Sequence, residues 1–245
     1  MDWHARYLQQ ARWTRELREY LFAQAGLPAA RRVLEVGCGT GAVLRELAGP
    51  AALHALDLEP AALAECGIHA PGAQRVRADG LRLPYPAAAF DIVFCHFLLL
   101  WVGDPLQALL EMKRVTRPGG SILALAEPDY SARVDEPPEL RPLGAWQAEA
   151  LRRRGADVGF GARLAGDFFQ AGIPLVETGA IQSREGPSTP EERDLEWAVL
   201  EADLAGSIPG RDLQTMKRLD EQAWARGRRI LHVPTYFAWG RLPAH

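Results

Sequence analysis

Glycines, carboxylates and one histidine stand at the spacing that small-molecule chemistry requires. The run Val33-Leu34-Glu35-Val36-Gly37-Cys38-Gly39-Thr40-Gly41 is an apolar strand entering a GxGxG turn. Glycines at such a turn let backbone approach a ligand closely at the strand's carboxyl end. Glu35 lies inside the strand, where a carboxylate suits a cationic group rather than a pyrophosphate. Asp57 closes a second apolar run and can accept from two ribose hydroxyls, while Asp79 follows a third run and can accept from an exocyclic amine. Cys95-His96 and Glu127-Pro128-Asp129-Tyr130 end two further runs. His96 is the candidate general base or substrate contact. Glu127 and Tyr130 are the candidates for the other wall of a substrate pocket. Glu127 can equally pair with an arginine, and Asp129 can cap a turn.

Three acceptors at the ends of three successive strands describe a nucleoside that carries an ammonium group and no phosphates. S-adenosylmethionine has that chemistry, its amine, ribose and adenine N6 each needing an acceptor. A dinucleotide loop is the rival, because Gly37-x-Gly39-x-x-Ala42 also fits GxGxxA. The position of Glu35 counts against it. Methyl transfer from a sulfonium mainly requires holding donor and acceptor in line and excluding water, so no base signature is demanded.

The elements that must position these residues alternate. Residues 3–25 read as one helix. Arg32–Val36, Ala52–Asp57, Ala73–Ala78, Asp91–Cys95 and Ser121–Ala126 read as strands. Between them Ala42–Leu47, Pro60–Glu65 and Asp104–Thr116 read as helices, with Pro118-Gly119-Gly120 as a turn. Alternation of this kind predicts a mostly parallel sheet covered on both faces. Beyond Ala126 the order changes. Residues 128–142 are proline-rich, as a loop or lid, and helices follow at 143–154 and 162–170. Pro174–Ser183 reads as a strand, 188–227 as helical with a break at Gly206–Gly210, and Ile230–Trp239 as a last strand with a bulge or edge at Pro234.

With these motifs in this order the chain resembles the class I S-adenosylmethionine-dependent methyltransferases, in the branch that includes the ubiquinone and menaquinone biosynthesis enzymes. The stretches that carry the resemblance are the glycine loop at 33–41, Ala55-Leu56-Asp57-Leu58-Glu59-Pro60, Asp79-Gly80 with Leu83-Pro84-Tyr85-Pro86, Phe90-Asp91-Ile92-Val93, and Arg114-Val115-x-Arg117-Pro118-Gly119-Gly120. The resemblance implies a Rossmann-like α/β fold with a seven-stranded sheet whose last strand is antiparallel. It implies that Glu35, Gly37, Cys38, Gly39 and Gly41 hold the methionine part, and that Asp57 holds the ribose. Leu58 would then pack on adenine, Asp79 and Gly80 would read its edge, and Cys95 would stand at the site as a small buried residue. On this basis residues 1–245 form a single domain: a helical cap at 1–28, a cofactor core at 30–127, and lid or substrate insertions at 128–160 and 188–227.

Composition narrows the alternatives. The chain has 245 residues, 48% apolar and 24% charged, with a net charge of −3. That balance suits a soluble α/β domain and excludes a strongly basic nucleic-acid binder. No apolar run approaches the roughly 20 residues of a membrane span. Met1–Arg6 is charged and lacks a secretory core, so the cytoplasm is the expected compartment. Cys38, Cys66 and Cys95 show no CxxC, and the histidines form no HExxH, so no metal site is expected. The reading is methyl transfer to an N, O or C nucleophile of a small molecule. The alternatives are a non-catalytic binding module, a different group transfer from the same cofactor, and an NAD-dependent oxidoreductase.

Overall fold

Every second residue of the central strands faces the opposite layer, and this alternation builds the molecule. The computed structural model describes residues 2–47, 49, 51–181 and 189–244. Strands β1 (Arg32–Val36), β2 (Ala52–Asp57), β3 (Gln74–Arg77), β4 (Phe90–Cys95) and β5 (Thr116–Pro128) pair in parallel. Leu34, Val36, Val93 and Ile122 pack on one face, against α4 (Pro105–Val115) and α6 (Leu164–Gln170). Val33, Ala55, Phe94 and Leu123 pack on the other, against α2 (Arg15–Gln24) and α3 (Pro60–His69). Both faces are therefore dry, as near-continuous apolar strands require.

The expected seven-stranded sheet is present, in the order β3-β2-β1-β4-β5-β9-β7, with β7 being Leu175–Ala180 and β9 Thr235–Arg241. Strand β9 runs antiparallel to both β5 and β7, so the last strand is the reversed one. The apolar run at 230–239 is not one strand. Pro234, which has no N–H to offer a ladder, divides it. Residues Ile230–His232 form β8, which pairs with β6 (Val134–Glu136) in a separate two-stranded sheet. The proline-rich 128–142 segment thus carries a strand of its own.

Three further expectations change. The N-terminal helix is two helices, α1 (Trp3–Trp13) and α2, parted at Thr14, whose hydroxyl bonds back to the carbonyls of Gln10 and Ala11. Such side-chain bonding competes with helix continuation. Ala42–Leu47 forms only a 3-10 turn at Leu44–Glu46, because Gly49 and Pro50 leave too few residues to nucleate an α-helix. Pro118-Gly119-Gly120 is taken into β5 with an irregular register opposite Phe90 and Ile92, not left as a turn. Helices α5 (Arg141–Arg153), α7 (Pro190–Leu204) and α8 (Gly210–Ala225) enclose a small core of their own around Leu140, Leu143, Trp197, Leu200 and Ala223. The expected strand end at 182–183 and helical start at 188 lie outside the described residues. Among the described residues no helix is long and apolar enough to cross a membrane.

Candidate active site

Parallel strands bring their carboxyl ends to one edge of the sheet, and a cavity of about 650 Å³ opens there. Glu35, Gly37, Cys38 and Gly39 line it from β1 and its turn, Asp57 from the end of β2, and His96 from the end of β4. Tyr130 lines it after β5. These residues are brought together as the sequence suggested.

Asp57 is a half-buried clasp. Its Oδ2 accepts from the Gly39 N–H at 2.8 Å and its Oδ1 from the Glu59 N–H at 2.9 Å. The carboxylate therefore ties the glycine turn to the start of α3. Glycine is required at 39: φ is +51°, and a Cβ there would stand 3.1 Å from the Tyr7 ring. Tyr7 thus lies over the turn from α1. Glu35 is 2% exposed and its Oε2 has no hydrogen-bond partner among the described residues. Burial pushes its carboxyl well above the usual carboxylate range, with Arg18 and the Leu44 N–H opposing. An orphaned carboxylate oxygen on the wall of a cavity fits a cationic ligand group, since an ammonium there would relieve the cost of desolvation.

His96 is held differently from a free base. Its Nε2 lies 3.0 Å from Thr14 Oγ1, which also accepts from Arg18 Nε at 3.0 Å. Burial and the nearby Arg18 guanidinium lower its pKa to about 3. The ring is neutral, and with the Thr14 proton turned to the α1 carbonyls its Nε2–H donates to that hydroxyl, joining the sheet to the cap. This geometry favours a positioning role over proton abstraction. The next residue, Phe97, has φ +55° and stacks edge-on against the His96 ring, a strained turn at the rim of the cavity.

Glu127 does not line the cavity. It is fully buried, and its two oxygens accept from the backbone N–H groups of Leu98 and Leu100 at 3.1 and 3.3 Å. Burial raises its pKa to about 7. It shapes the loop after β4 from behind. Cys95 is buried beside it, 3.8 Å from Oε1. Gly41 turns toward α3, its missing Cβ 3.0 Å from Cys66 Sγ. Leu58 is 61% exposed, and Asp79, also exposed, caps the Leu81 N–H at 2.9 Å. Gly80 lies against Val36. Gly41, Leu58, Asp79, Gly80 and Cys95 stand outside the cavity lining.

Other lining residues come from elements outside the core motifs. Arg154 pairs with Asp203 at 2.7 Å and lies 5.5 Å over the Trp101 ring. Leu151 and Val199 join them, so α5 and α7 supply the far end. From the cap come Trp3, Arg6 and Tyr7; Arg6 pairs with Glu196. Arg12 is exposed and outside the lining. None of these contacts has a sequence spacing that could have announced it.

A sheet of this order with an acceptor-lined glycine turn defines the class I fold of S-adenosylmethionine-binding enzymes. Residues 34–124 match the family described as methyltransferase domain. That stretch is thus similar to S-adenosylmethionine-dependent methyltransferase domains, and the relatives it resembles include ubiquinone and menaquinone methyltransferases. The chain is 42% identical over 99 residues to a malonyl-acyl-carrier-protein O-methyltransferase of Halorhodospira halophila, covering 38% of this chain and 34% of that one. It is 36% identical over 124 residues to the ubiquinone/menaquinone biosynthesis C-methyltransferase UbiE of Bdellovibrio bacteriovorus, covering 46% and 49%. The chain thus spans about half the length, or less, of these relatives. The fold is shared with the 4+2 cyclase SpnF, at 20% identity and TM-score 0.61, over 94% of this chain and 81% of that one. It is shared likewise with the YcgJ protein of Bacillus subtilis, at 18% identity and TM-score 0.61, over 92% and 97%.

Proposed function

We propose that the protein transfers a methyl group from S-adenosylmethionine to an N, O or C nucleophile of a small molecule. The observation that carries this reading is the unpartnered, buried Glu35 oxygen on the wall of a cavity that Asp57 and the glycine turn also line. S-adenosylmethionine, when bound, supplies a methyl carbon already activated by its sulfonium. Glu35 holds its ammonium and Asp57 its ribose, with Leu58, Asp79 and Gly80 at the rim for the adenine. Tyr7 and Trp3 cover the turn and exclude water. The two relatives named for O- and C-methylation of small or carrier-bound molecules support a small acceptor.

The acceptor's place is the end lined by Leu100, Trp101, Tyr130, Leu151, Arg154 and Val199. That wall suits an apolar or aromatic body. His96 is too weak a base to take a proton there, and Glu127 faces away. The acceptor therefore brings its own lone pair or an oxygen already ionised. The organisation follows: cap 1–28, cofactor core 30–127, and lid segments 128–160 and 188–227, in a cytoplasmic protein. Calorimetry tests the cofactor, with S-adenosylmethionine expected to bind and NAD not. Incubation with labelled S-adenosylmethionine and a metabolite extract tests the acceptor, with a labelled small molecule expected. Tighter binding of NAD would reverse the reading.

A further inference from the structure

The sequence shows no metal motif, yet the fold gathers three metal-ligating side chains where α1 meets α3. Glu65 and His69 stand one helical turn apart on α3, and so on one face. His4 comes from α1, and the ligand atoms of all three lie within 4.8 Å of one another. Around a tetrahedral zinc ion with bonds of about 2.1 Å, neighbouring donors stand about 3.4 Å apart. Closing that difference turns one imidazole out of its parallel stack on the other, because the nitrogen lone pairs lie in the ring planes.

The detail of His4 is what a ligand needs. Its Nδ1 lies 2.7 Å from Thr40 Oγ1, which fixes the ring and leaves Nε2 as the free donor atom. Its ring lies flat on that of His69, with centroids 3.4 Å apart and planes 7° from parallel. Two imidazoles and one carboxylate suit a borderline ion such as zinc rather than magnesium or calcium.

We propose that His4, Glu65 and His69 bind a divalent transition metal of the zinc type, which clamps α1 onto α3 beside the glycine turn. Thr40 sits in that turn, and Glu65 lines the large cavity, so the clamp closes the cap at the cofactor's end. The metal reading does not depend on the cofactor reading.

The test uses the full chain without a histidine tag. Zinc and cobalt titrations by calorimetry should show one saturable site, and bound cobalt should give a visible band of an imidazole-ligated ion. His69→Ala, Glu65→Gln and His4→Ala should each weaken binding at least tenfold, with folding checked by circular dichroism. Zinc should also slow tryptic cleavage at the exposed Arg12, and His69→Ala should remove that protection. Absence of saturable binding, or parental affinity in folded His69→Ala and Glu65→Gln variants, would overturn the site. Binding that leaves cleavage at Arg12 unchanged would overturn the clamp.

Discussion

Thr14 Oγ1 and His96 Nε2 meet at 3.0 Å, so the break between α1 and α2 is also the point where the cap is fastened to the end of β4. The same hydroxyl accepts from Arg18 and bonds back to two carbonyls of α1. One threonine therefore ends a helix, seats a guanidinium and fixes an imidazole.

Thr14→Val and His96→Phe should each weaken S-adenosylmethionine binding by loosening the cap, by about 0.5–1.5 kcal/mol for one lost hydrogen bond. The two effects should be non-additive, because they remove the same contact. Calorimetry on the single and double variants checks this. No limb of the pH–rate profile near 6.5 should disappear in His96→Phe, since the ring titrates at about 3.

Asp57→Ala should weaken cofactor binding by about 1.5–3 kcal/mol, the range for hydrogen bonds to a charged group. It also releases the Gly39 and Glu59 N–H groups. A lower melting temperature should therefore accompany the loss of affinity. Unchanged affinity in a folded variant would remove Asp57 from the site.

Gly39→Ala should destabilise the protein by about 1–2 kcal/mol, the cost of a side chain at left-handed φ. Pairing it with Tyr7→Ala should relieve the contact at 3.1 Å but not the φ penalty. Denaturant unfolding of both variants separates the two contributions.

Stability should respond to pH through three buried groups, with His96 opposed in sign to Glu127 and Glu35. His96 has its pKa lowered from 6.5 to about 3, so its unfolded form binds the proton first and stability falls as pH drops through that window. Glu127 has its pKa raised from 4.5 to about 7, so the folded form keeps its proton longer and stability falls as pH rises through that window. The His96 and Glu127 slopes cancel where their windows overlap, between about 4.5 and 6.5, so the raised carboxyl of Glu35 leaves a net fall in stability there as pH rises. His96→Phe should steepen that fall, and Glu127→Gln should flatten it. Urea midpoints across the range read both.

The part of the cavity lined by Glu35, the glycine turn and Asp57 was legible because these residues lie within short runs of strand and turn, whereas Leu58, Asp79 and Gly80 fell outside the lining. Glu35 and the glycines announce their chemistry within a few residues, and Asp57 ends an apolar strand. Glu127 looked like a substrate contact from the same kind of position, yet its carboxylate turns inward. A strand end does not say whether a side chain meets the cavity or the loop behind it, and the unpaired N–H groups of Leu98 and Leu100 decided that. Arg154 with Asp203, and His4 with Glu65, were illegible because each pair joins elements far apart in sequence. The split of β8 from β9 was half legible: Pro234 marked the place, but the partner strand β6 lay hidden in a proline-rich stretch.

Strand β9 lies between β5 and β7, and among the described residues β7 pairs with the sheet through β9 alone. During synthesis β7 leaves the ribosome long before its neighbour exists. The nascent chain must hold an open β5 edge until residues 235–241 emerge, and that edge invites pairing with other chains. Assembly of the sheet is then an insertion, not an addition. Ribosome-bound chains halted before β9 should be protease-sensitive in β7 although β1 to β4 are already protected. Emergence of β9 should join β5 and β7 in a single step.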